Sequence, residues 1–325
     1  MADQPQLKIA IGTYGHTRAL KWGDVRIEGI DPAFVEVVPI IGAFRRMVRD
    51  VEFDICEMAP TTYMIARALG APYIALPIFL MRRFHHGGFV VRPDAGIRVP
   101  KDLEGKSVGV RAYSVTTGVW TRGIFVNEYG LDSAKVTWVV DDEEHVTTLK
   151  LPPNVVHAPE GKSLQSMMKA GEIQAGFSGP AGVGRAGPPI SGWDKAGAAA
   201  ADTYPELIAD VEKVEADWFR RSGIYPIHGL IVVKDEHIKR HPWLARSLMN
   251  AFVEAKKPYL EELKRQGDSP EDKRYRNFLS LMSDPLPYGS AANRASIEAL
   301  VTYSLQQKLI PARPQLDQVF VDIDP

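Results

Sequence analysis

The chain has little of several things, and each shortage narrows what it can be. Among its 325 residues there is one cysteine, Cys56. An internal disulfide is therefore excluded, and within Phe53-Asp54-Ile55-Cys56-Glu57-Met58 this thiol reads as an inert strand residue. No excess of one charge is present: 39 Lys and Arg stand against 40 Asp and Glu. A near-neutral chain is poorly suited to nucleic acid or an anionic membrane as its main partner. No run approaches the ~20 apolar residues that cross a bilayer. The polar start Met1 to Leu7 lacks the basic segment, apolar run and cleavage site of an export signal, so a cytoplasmic location is expected. No internal repeat or low-complexity tail is found.

What is present is an alternation of strand-like and helix-like segments. Leu7–Ile11, Phe34–Ile40, Phe53–Met58 and Tyr73–Leu80 read as strands, with helices over Thr17–Lys21, Gly42–Val51 and Pro60–Leu69. A second unit opens near Val99. Strands are expected at Ser107–Arg111, Val136–Val140 and Ile173–Phe177, with helices at Thr117–Tyr129, Ser163–Ala170 and Pro205–Phe219. Ile227–Val233 is a further strand, and the remainder is largely helical. This rhythm predicts an α/β protein with mostly parallel sheets. Residues 179–200, rich in Gly, Pro and Ala, are expected to form a long surface loop.

Three loops after strands carry polar groups: Gly12-Thr13-Tyr14-Gly15-His16-Thr17-Arg18, Glu57-Met58-Ala59-Pro60-Thr61-Thr62-Tyr63, and Arg111-Ala112-Tyr113-Ser114-Val115-Thr116-Thr117. Open α/β sheets bind ligands beyond the carboxyl ends of their strands. Hydroxyls and amides at a helix start suit a carboxylate or phosphate, although ordinary N-capping uses the same residues. The densest chemistry lies in Leu80-Met81-Arg82-Arg83-Phe84-His85-His86-Gly87-Gly88, where two arginines and two histidines end an aliphatic run. Arginine holds carboxylates through paired hydrogen bonds and histidine moves protons near neutral pH, so a site for an acidic small molecule is expected. On a regular strand, Arg82, Phe84 and His86 would share one face, and Arg83 and His85 the other.

Other motifs point less far. Gly182-Val183-Gly184-Arg185-Ala186-Gly187 matches a dinucleotide pattern, but Pro188-Pro189 argues against the helix that pattern must open. His237 and His241 are four apart without the glutamate of a zinc-protease helix, and read as a solvated helix start. Asp141-Asp142-Glu143-Glu144-His145 is an acid/base or metal candidate and equally a charged loop. Arg45, Arg46 and Arg49 read as a solvated or subunit-contact helix face, compatible with a homo-oligomer.

Asp102-Leu103-Glu104-Gly105-Lys106-Ser107-Val108-Gly109-Val110, Met168-Lys169-Ala170-Gly171-Glu172-Ile173 and His241-Pro242-Trp243 resemble type 2 periplasmic-binding-protein folds. More specifically, Tyr14–Arg18, Ala43–Met47, Cys56–Tyr63 and Leu80–Gly88 resemble the 4,5-dihydroxyphthalate decarboxylase family. The resemblance implies two α/β lobes with a ligand cleft between them: residues 1–92 and 228–325 in lobe I, and 93–227 inserted as lobe II. It also implies removal of one carboxylate from 4,5-dihydroxyphthalate, giving 3,4-dihydroxybenzoate, with no organic cofactor and no metal, and a small aromatic dicarboxylate as the partner molecule. His16, His85 or His86 is then the expected proton donor, with His145 and His228 in reserve. Glu57 is the first candidate for the base and Glu144 the second. Arg18, Arg82, Arg83 and Arg111 are candidates for a carboxylate clamp, Thr61, Thr62, Ser114 and Thr116 for neutral hydrogen bonds, and His228 for a place at the cleft mouth. Two other classes fit the same residues: a binding protein without chemistry, and a metal-assisted decarboxylase using His85, His86 and an acid.

Overall fold

The computed structural model describes residues 4–184, 204–265 and 269–325. The strands are β1 (Gln6–Ala10), β2 (Asp31–Phe34), β3 (Ile55–Met58), β4 (Tyr73–Arg82), β5 (Phe89–Val91), β6 (Ser107–Gly109), β7 (Thr137–Val140), β8 (Val155–His157), β9 (Ala175–Phe177) and β10 (Ile227–Lys234). They form two five-stranded sheets, in the orders β2-β1-β3-β10-β4 and β5-β9-β6-β7-β8.

The chain divides into two compact units. One comprises residues 1–83, 227–298 and 314–325, and the other 84–226 and 299–313. The boundaries therefore fall at 83/84 and 226/227, where the sequence suggested 92/93 and 227/228. A further boundary lies inside the helix Arg294–Gln306.

In the first unit β1 runs parallel to β2 and β3, while β10 is antiparallel to both β3 and β4. The return strand is thus the antiparallel member of a sheet expected to be mostly parallel, because the chain re-enters it from the other end. All four residues of β3 are buried. A strand covered on both faces is expected to read as an apolar run, and Ile55-Cys56-Glu57-Met58 does so except at Glu57. Ile9, Ile55, Leu76, Ile78, Ile231 and Val233 pack with Leu244, Leu248 and Phe252 of the 22-residue helix Leu244–Arg265. That helix also turns Lys256 and Tyr259 inward, 6% and 5% exposed.

Two sequence expectations fail here for stated reasons. Phe34–Ile40 is not a strand: pairing stops at Phe34, and Val38 is 79% exposed. Pro39 has no N–H to give a ladder, which leaves this apolar run outside the sheet. The strand alternation expected through Arg82–His86 also ends early, because β4 stops at Arg82. His85 and His86, placed on opposite faces by that alternation, are both buried.

In the second unit β6 is parallel to β7 and β9, β7 is parallel to β8, and β5 is antiparallel to β9. Val139, Leu164, Met168 and Ile173 form part of its core. The helix Thr116–Tyr129 ends at Gly130, whose φ of 66° is the left-handed cap that glycine accommodates without a Cβ clash. The helix expected at Pro205–Phe219 occupies Val211–Ser222. Most of the loop expected at 179–200 lies outside the described residues, as does the second half of the glycine pattern. Gly182–Gly184 form a turn after the short helical turn Gly179–Ala181. Among the described residues no helix is long and apolar enough to cross a membrane.

Candidate active site

In the first unit the carboxyl ends of β1 and β3 bring Glu57 and the loop after β1 together. The Gly12 N–H donates to Glu57 Oε2 at 2.9 Å, and the Tyr14 hydroxyl donates to Glu57 Oε1 at 2.9 Å. Glu57 is 1% exposed. Burial pushes its pKa up to about 7 against the opposing pull of these two donors. Burial, followed by the neighbouring Glu57, holds the Tyr14 phenol well above its ordinary value. Gly229 of β10 lies behind the carboxyl: a Cβ there would stand 3.0 Å from Glu57 Oε1. The absent side chain makes room for the carboxyl.

His16 follows in the same loop. Its ring stacks on Tyr14, with centroids 5.3 Å apart and planes 12° from parallel, and meets Tyr259 at 5.6 Å. Gly15 permits this approach, since a Cβ there would lie 2.2 Å from the Tyr259 ring. Burial and then the positive Lys256 lower the His16 pKa to about 3, outweighing the Leu80 backbone and Asp272. The imidazole is therefore neutral at pH 7. Neither ring nitrogen meets a partner at hydrogen-bond geometry.

Tyr14, His16 and Tyr259 form the aromatic part of a cleft of about 280 Å³, completed by Thr13, Gly15, Arg18, Glu262, Ser269, Glu271 and Asp272. Tyr259 donates to Asp272 Oδ1 at 2.5 Å. Arg18 is ion-paired with Glu262 at the cleft wall. Glu271 accepts from the Tyr275 hydroxyl at 2.9 Å and lies 3.6 Å from Arg274. Burial and the neighbouring Arg274 bring the Arg83 pKa down to about 10, which leaves it charged at neutral pH. Burial, then Arg83 and Arg274, keep His228 uncharged by holding its pKa well below the ordinary value. Thr61 and Thr62 are buried in the first turn of the helix Pro60–Ala68, which follows β3.

Arg82 serves the packing of this unit. Fully buried over the Phe79 ring, its guanidinium donates to Asn293, to Ser296 Oγ at 3.3 Å and to the Pro287 carbonyl at 3.4 Å. Replacing it with methionine keeps the apolar stem and strands these acceptors. Each buried unsatisfied group costs ~1–3 kcal/mol, so Arg82→Met should lower the melting temperature while the folded fraction binds ligand normally. Thermal unfolding with calorimetry checks this; unchanged stability with weakened binding would instead return Arg82 to the clamp.

The second unit gathers the other expected residues in two places. The carboxylate of Glu144 accepts from the Tyr113 N–H at 2.6 Å, from the Ser114 N–H at 3.1 Å and from the Ser114 hydroxyl. The donors that the sequence offered to a ligand anion are thus occupied by a carboxylate of the chain itself. Thr116 is buried at the start of the helix that follows. Arg122, fully buried, lies over the Tyr113 ring at 4.0 Å and donates to Gln307 at 2.7 Å. The Arg111 N–H donates to the Ala181 carbonyl, and the Arg111 carbonyl accepts from Asp142. His145 is buried in the loop beyond Glu144.

The second place holds the two adjacent histidines. His85 is parallel to Trp120 at 6.5 Å, and its carbonyl accepts from Thr121 at 2.9 Å. The His86 N–H donates to Glu215 at 3.3 Å, and its ring meets Trp218 edge-on at 5.0 Å. Burial lowers the His86 pKa to about 4 and raises that of Glu215 to about 7. His237, by contrast, is buried and bonds Asp54 at 2.9 Å beside the Lys234–Asp54 ion pair, where the sequence suggested a solvated helix start. Among the described residues no three His, Cys, Asp or Glu side chains are grouped to hold a metal ion.

The partners that sequence reasoning did not single out are Tyr259, Glu271, Asp272, Arg274, Lys256, Arg122 and Glu215. Tyr259 and Asp272 lie more than 200 residues from Tyr14 in the chain, and no local pattern signals that they meet its loop.

Residues 32–151 match the family of ABC-transporter phosphonate periplasmic substrate-binding proteins. The alkanesulfonate-binding protein of Xanthomonas axonopodis pv. citri superposes with a TM-score of 0.52 at 13% identity, covering 99% of this chain and 100% of that one. The aliphatic sulphonate binding protein of Escherichia coli gives 0.52 at 11% identity, covering 97% of each. At such identities the likeness concerns the fold alone. With two α/β sheets and a polar cleft at strand ends, the chain has the periplasmic-binding-protein-like fold. It is also 33% identical over 332 residues to 4,5-dihydroxyphthalate decarboxylase of Comamonas testosteroni, covering 97% of this chain and 96% of that protein. The Pseudomonas putida enzyme of the same name is 35% identical over 224 residues, 66% of this chain and 81% of that one. The chain belongs to the 4,5-dihydroxyphthalate decarboxylase family, whose members are carboxy-lyases.

Proposed function

We propose that the protein removes one carboxylate from 4,5-dihydroxyphthalate as carbon dioxide, giving 3,4-dihydroxybenzoate without an organic cofactor. The observation that carries this reading is the buried Glu57–Tyr14 pair, in a chain one third identical to decarboxylases of that name. A plain aryl carbanion is too unstable to form at neutral pH. A hydroxyl para to the departing carboxylate avoids it: its oxygen pushes an electron pair into the ring, and the ipso carbon takes a proton. The C–CO2 bond then breaks, its electrons restore the aromatic ring, and the phenol oxygen recovers its proton. One proton is consumed overall.

The donor must hold a proton near pH 7 and release it in the transition state. Glu57, with a pKa raised to about 7, meets that requirement. His16 and His86, lowered to about 3 and about 4, are scarcely protonated there. Of the two carboxyls raised to about 7, Glu57 and Glu215, Glu57 is the one hydrogen-bonded to a cleft-lining phenol, so the donor role is assigned to Glu57, acting through Tyr14. A proton on Glu57 Oε1 reverses their hydrogen bond and frees the phenol to donate into the cleft it lines. Neutral His16 and ionised Asp272 supply acceptors for the substrate hydroxyls. Arg83 and Arg274 supply positive charge for a carboxylate.

The test is to incubate purified, chelator-treated protein with 4,5-dihydroxyphthalate and to measure carbon dioxide and 3,4-dihydroxybenzoate. Equal release of both supports the proposal. Tight binding without product would favour a solute-binding protein, and activity restored only by a nicotinamide, flavin or pyridoxal cofactor would remove the cofactor-free route.

A further inference from the structure

The cleft in the first unit has a chemical bias that bears on which edge of a ring it can take. Three carboxylates line it, Glu262, Glu271 and Asp272, against one guanidinium, Arg18, which Glu262 already holds. Glu262 holds Arg18 and Arg274 lies 3.6 Å from Glu271, so a ligand carboxylate entering this space finds these cations already facing carboxylates, with ionised Asp272 beside them. A hydroxyl donor meets the opposite situation. His16 is 1% exposed and lines the cleft; the Leu80 backbone acts on its imidazole, but neither ring nitrogen has a partner at full hydrogen-bond geometry. A buried polar group left unpaired within the protein is unusual and calls for a ligand or water. A neutral imidazole offers one acceptor and one donor. Asp272 adds a second acceptor: Ser269 and Tyr259 hold the carboxylate in place from either side.

We infer that this cleft recognises two neighbouring ring hydroxyls through acceptors on His16 and Asp272, and that Arg18, held by Glu262, does not clamp a ring carboxylate there. The inference rests on the proposed activity for the identity of the ring. It deepens that reading by assigning the dihydroxy edge to one group of residues and denying Arg18 the carboxylate-clamp role its position in the sequence suggested. The size agrees. About 280 Å³ falls just below the ~300–1,000 Å³ of sites for drug-sized molecules, so the cleft suits a single substituted ring. The walls agree as well, since Tyr14 and Tyr259 flank His16 with aromatic faces. A site built to pair with hydroxyls discriminates strongly against analogues that lack them, because its own polar groups are then left unpaired.

The experiment uses ligands that are not substrates of the proposed decarboxylation, so its outcome is separate from whether the protein turns over. Binding of 3,4-dihydroxybenzoate, 3,4-dimethoxybenzoate and benzoate is measured by calorimetry on the full chain. The wild type should bind the dihydroxy acid at least tenfold more tightly than either of the others. The dimethoxy compound keeps the ring, the oxygens and the carboxylate but has no hydroxyl to donate. In His16→Phe and Asp272→Asn, affinity for 3,4-dihydroxybenzoate should fall tenfold or more while that for benzoate stays within threefold. Melting temperatures verify that the variants are folded, and if either is not, the wild-type ligand series decides alone. Equal affinity of the wild type for the dihydroxy and dimethoxy acids overturns the inference. So does a parallel loss of benzoate binding in folded variants. Hydroxyl discrimination in a protein that releases no carbon dioxide would uphold the inference and refute the catalytic proposal.

Discussion

Glu57→Gln is expected to slow single-turnover decarboxylation by roughly 100-fold or more, the scale of a lost general acid, while changing substrate affinity by less than threefold. The amide keeps the size of the side chain, its one oxygen can accept from Gly12 while its NH2 faces the Tyr14 oxygen, and it has no acidic proton to give. The pH dependence carries the sharper signature. With a pKa of about 7, Glu57 is protonated below neutrality and ionised above it. A rate that needs its proton should be level below pH 6 and fall about tenfold per unit above pH 8. In the Gln variant the residual rate should lose this descending limb. Stability gives an independent check of the same group. A carboxyl whose folded pKa is raised contributes stability that is full below its unfolded value near 4.5 and is lost as pH rises through about 7. The loss is on the order of 3 kcal/mol if the shift is complete. The variant should therefore lose less stability than the wild type between pH 5 and pH 8. A variant that turns over at the wild-type rate with an unchanged pH profile would remove Glu57 from the reaction.

Arg83→Lys is expected to weaken binding of 3,4-dihydroxybenzoate by 10- to 100-fold. Arg274 is close enough to Arg83 to disfavour its charge, and His228 beside them is held neutral. Their neighbouring carboxylate is Glu271, 3.6 Å from Arg274. Such a cluster suits a ligand carboxylate, and a charged hydrogen bond contributes ~1.5–3 kcal/mol. Lysine retains the charge but loses the planar two-point contact. Calorimetry gives the affinity, and a melting curve separates lost binding from lost folding. Wild-type affinity in a folded Arg83→Lys protein would take the carboxylate contact away from this cluster.

The fold class and the order of most strands and helices were legible in the sequence. Apolar runs of strand length alternating with helical periodicity gave the α/β class, because local propensity and burial pattern act over a few residues. Pro60 after β3 marked a helix start, and the apolar character of Tyr73–Leu80 marked a buried strand. The short motifs at Tyr14–Arg18, Cys56–Tyr63 and Leu80–Gly88 pointed to the family, since such runs keep residue identity as well as polarity. Glu57 was legible as a candidate because it opens the polar segment Glu57–Tyr63 at the end of an expected strand.

Three-dimensional neighbours set the partners and the charge of each candidate. Whether a histidine is charged depends on the medium around it. Burial and Lys256, contributed by a helix 240 residues away, make His16 a neutral hydrogen-bonding group instead of an acid. Burial likewise raises the Glu57 pKa to about 7. Among the arginines at the end of β4, Arg82 turned inward to Asn293 and Ser296 while Arg83 came to lie beside Arg274. Ser114 met a carboxylate of its own chain in Glu144. Charge state and partner are set by three-dimensional neighbours and by exclusion of water, and neither is carried by the spacing of residues along the chain.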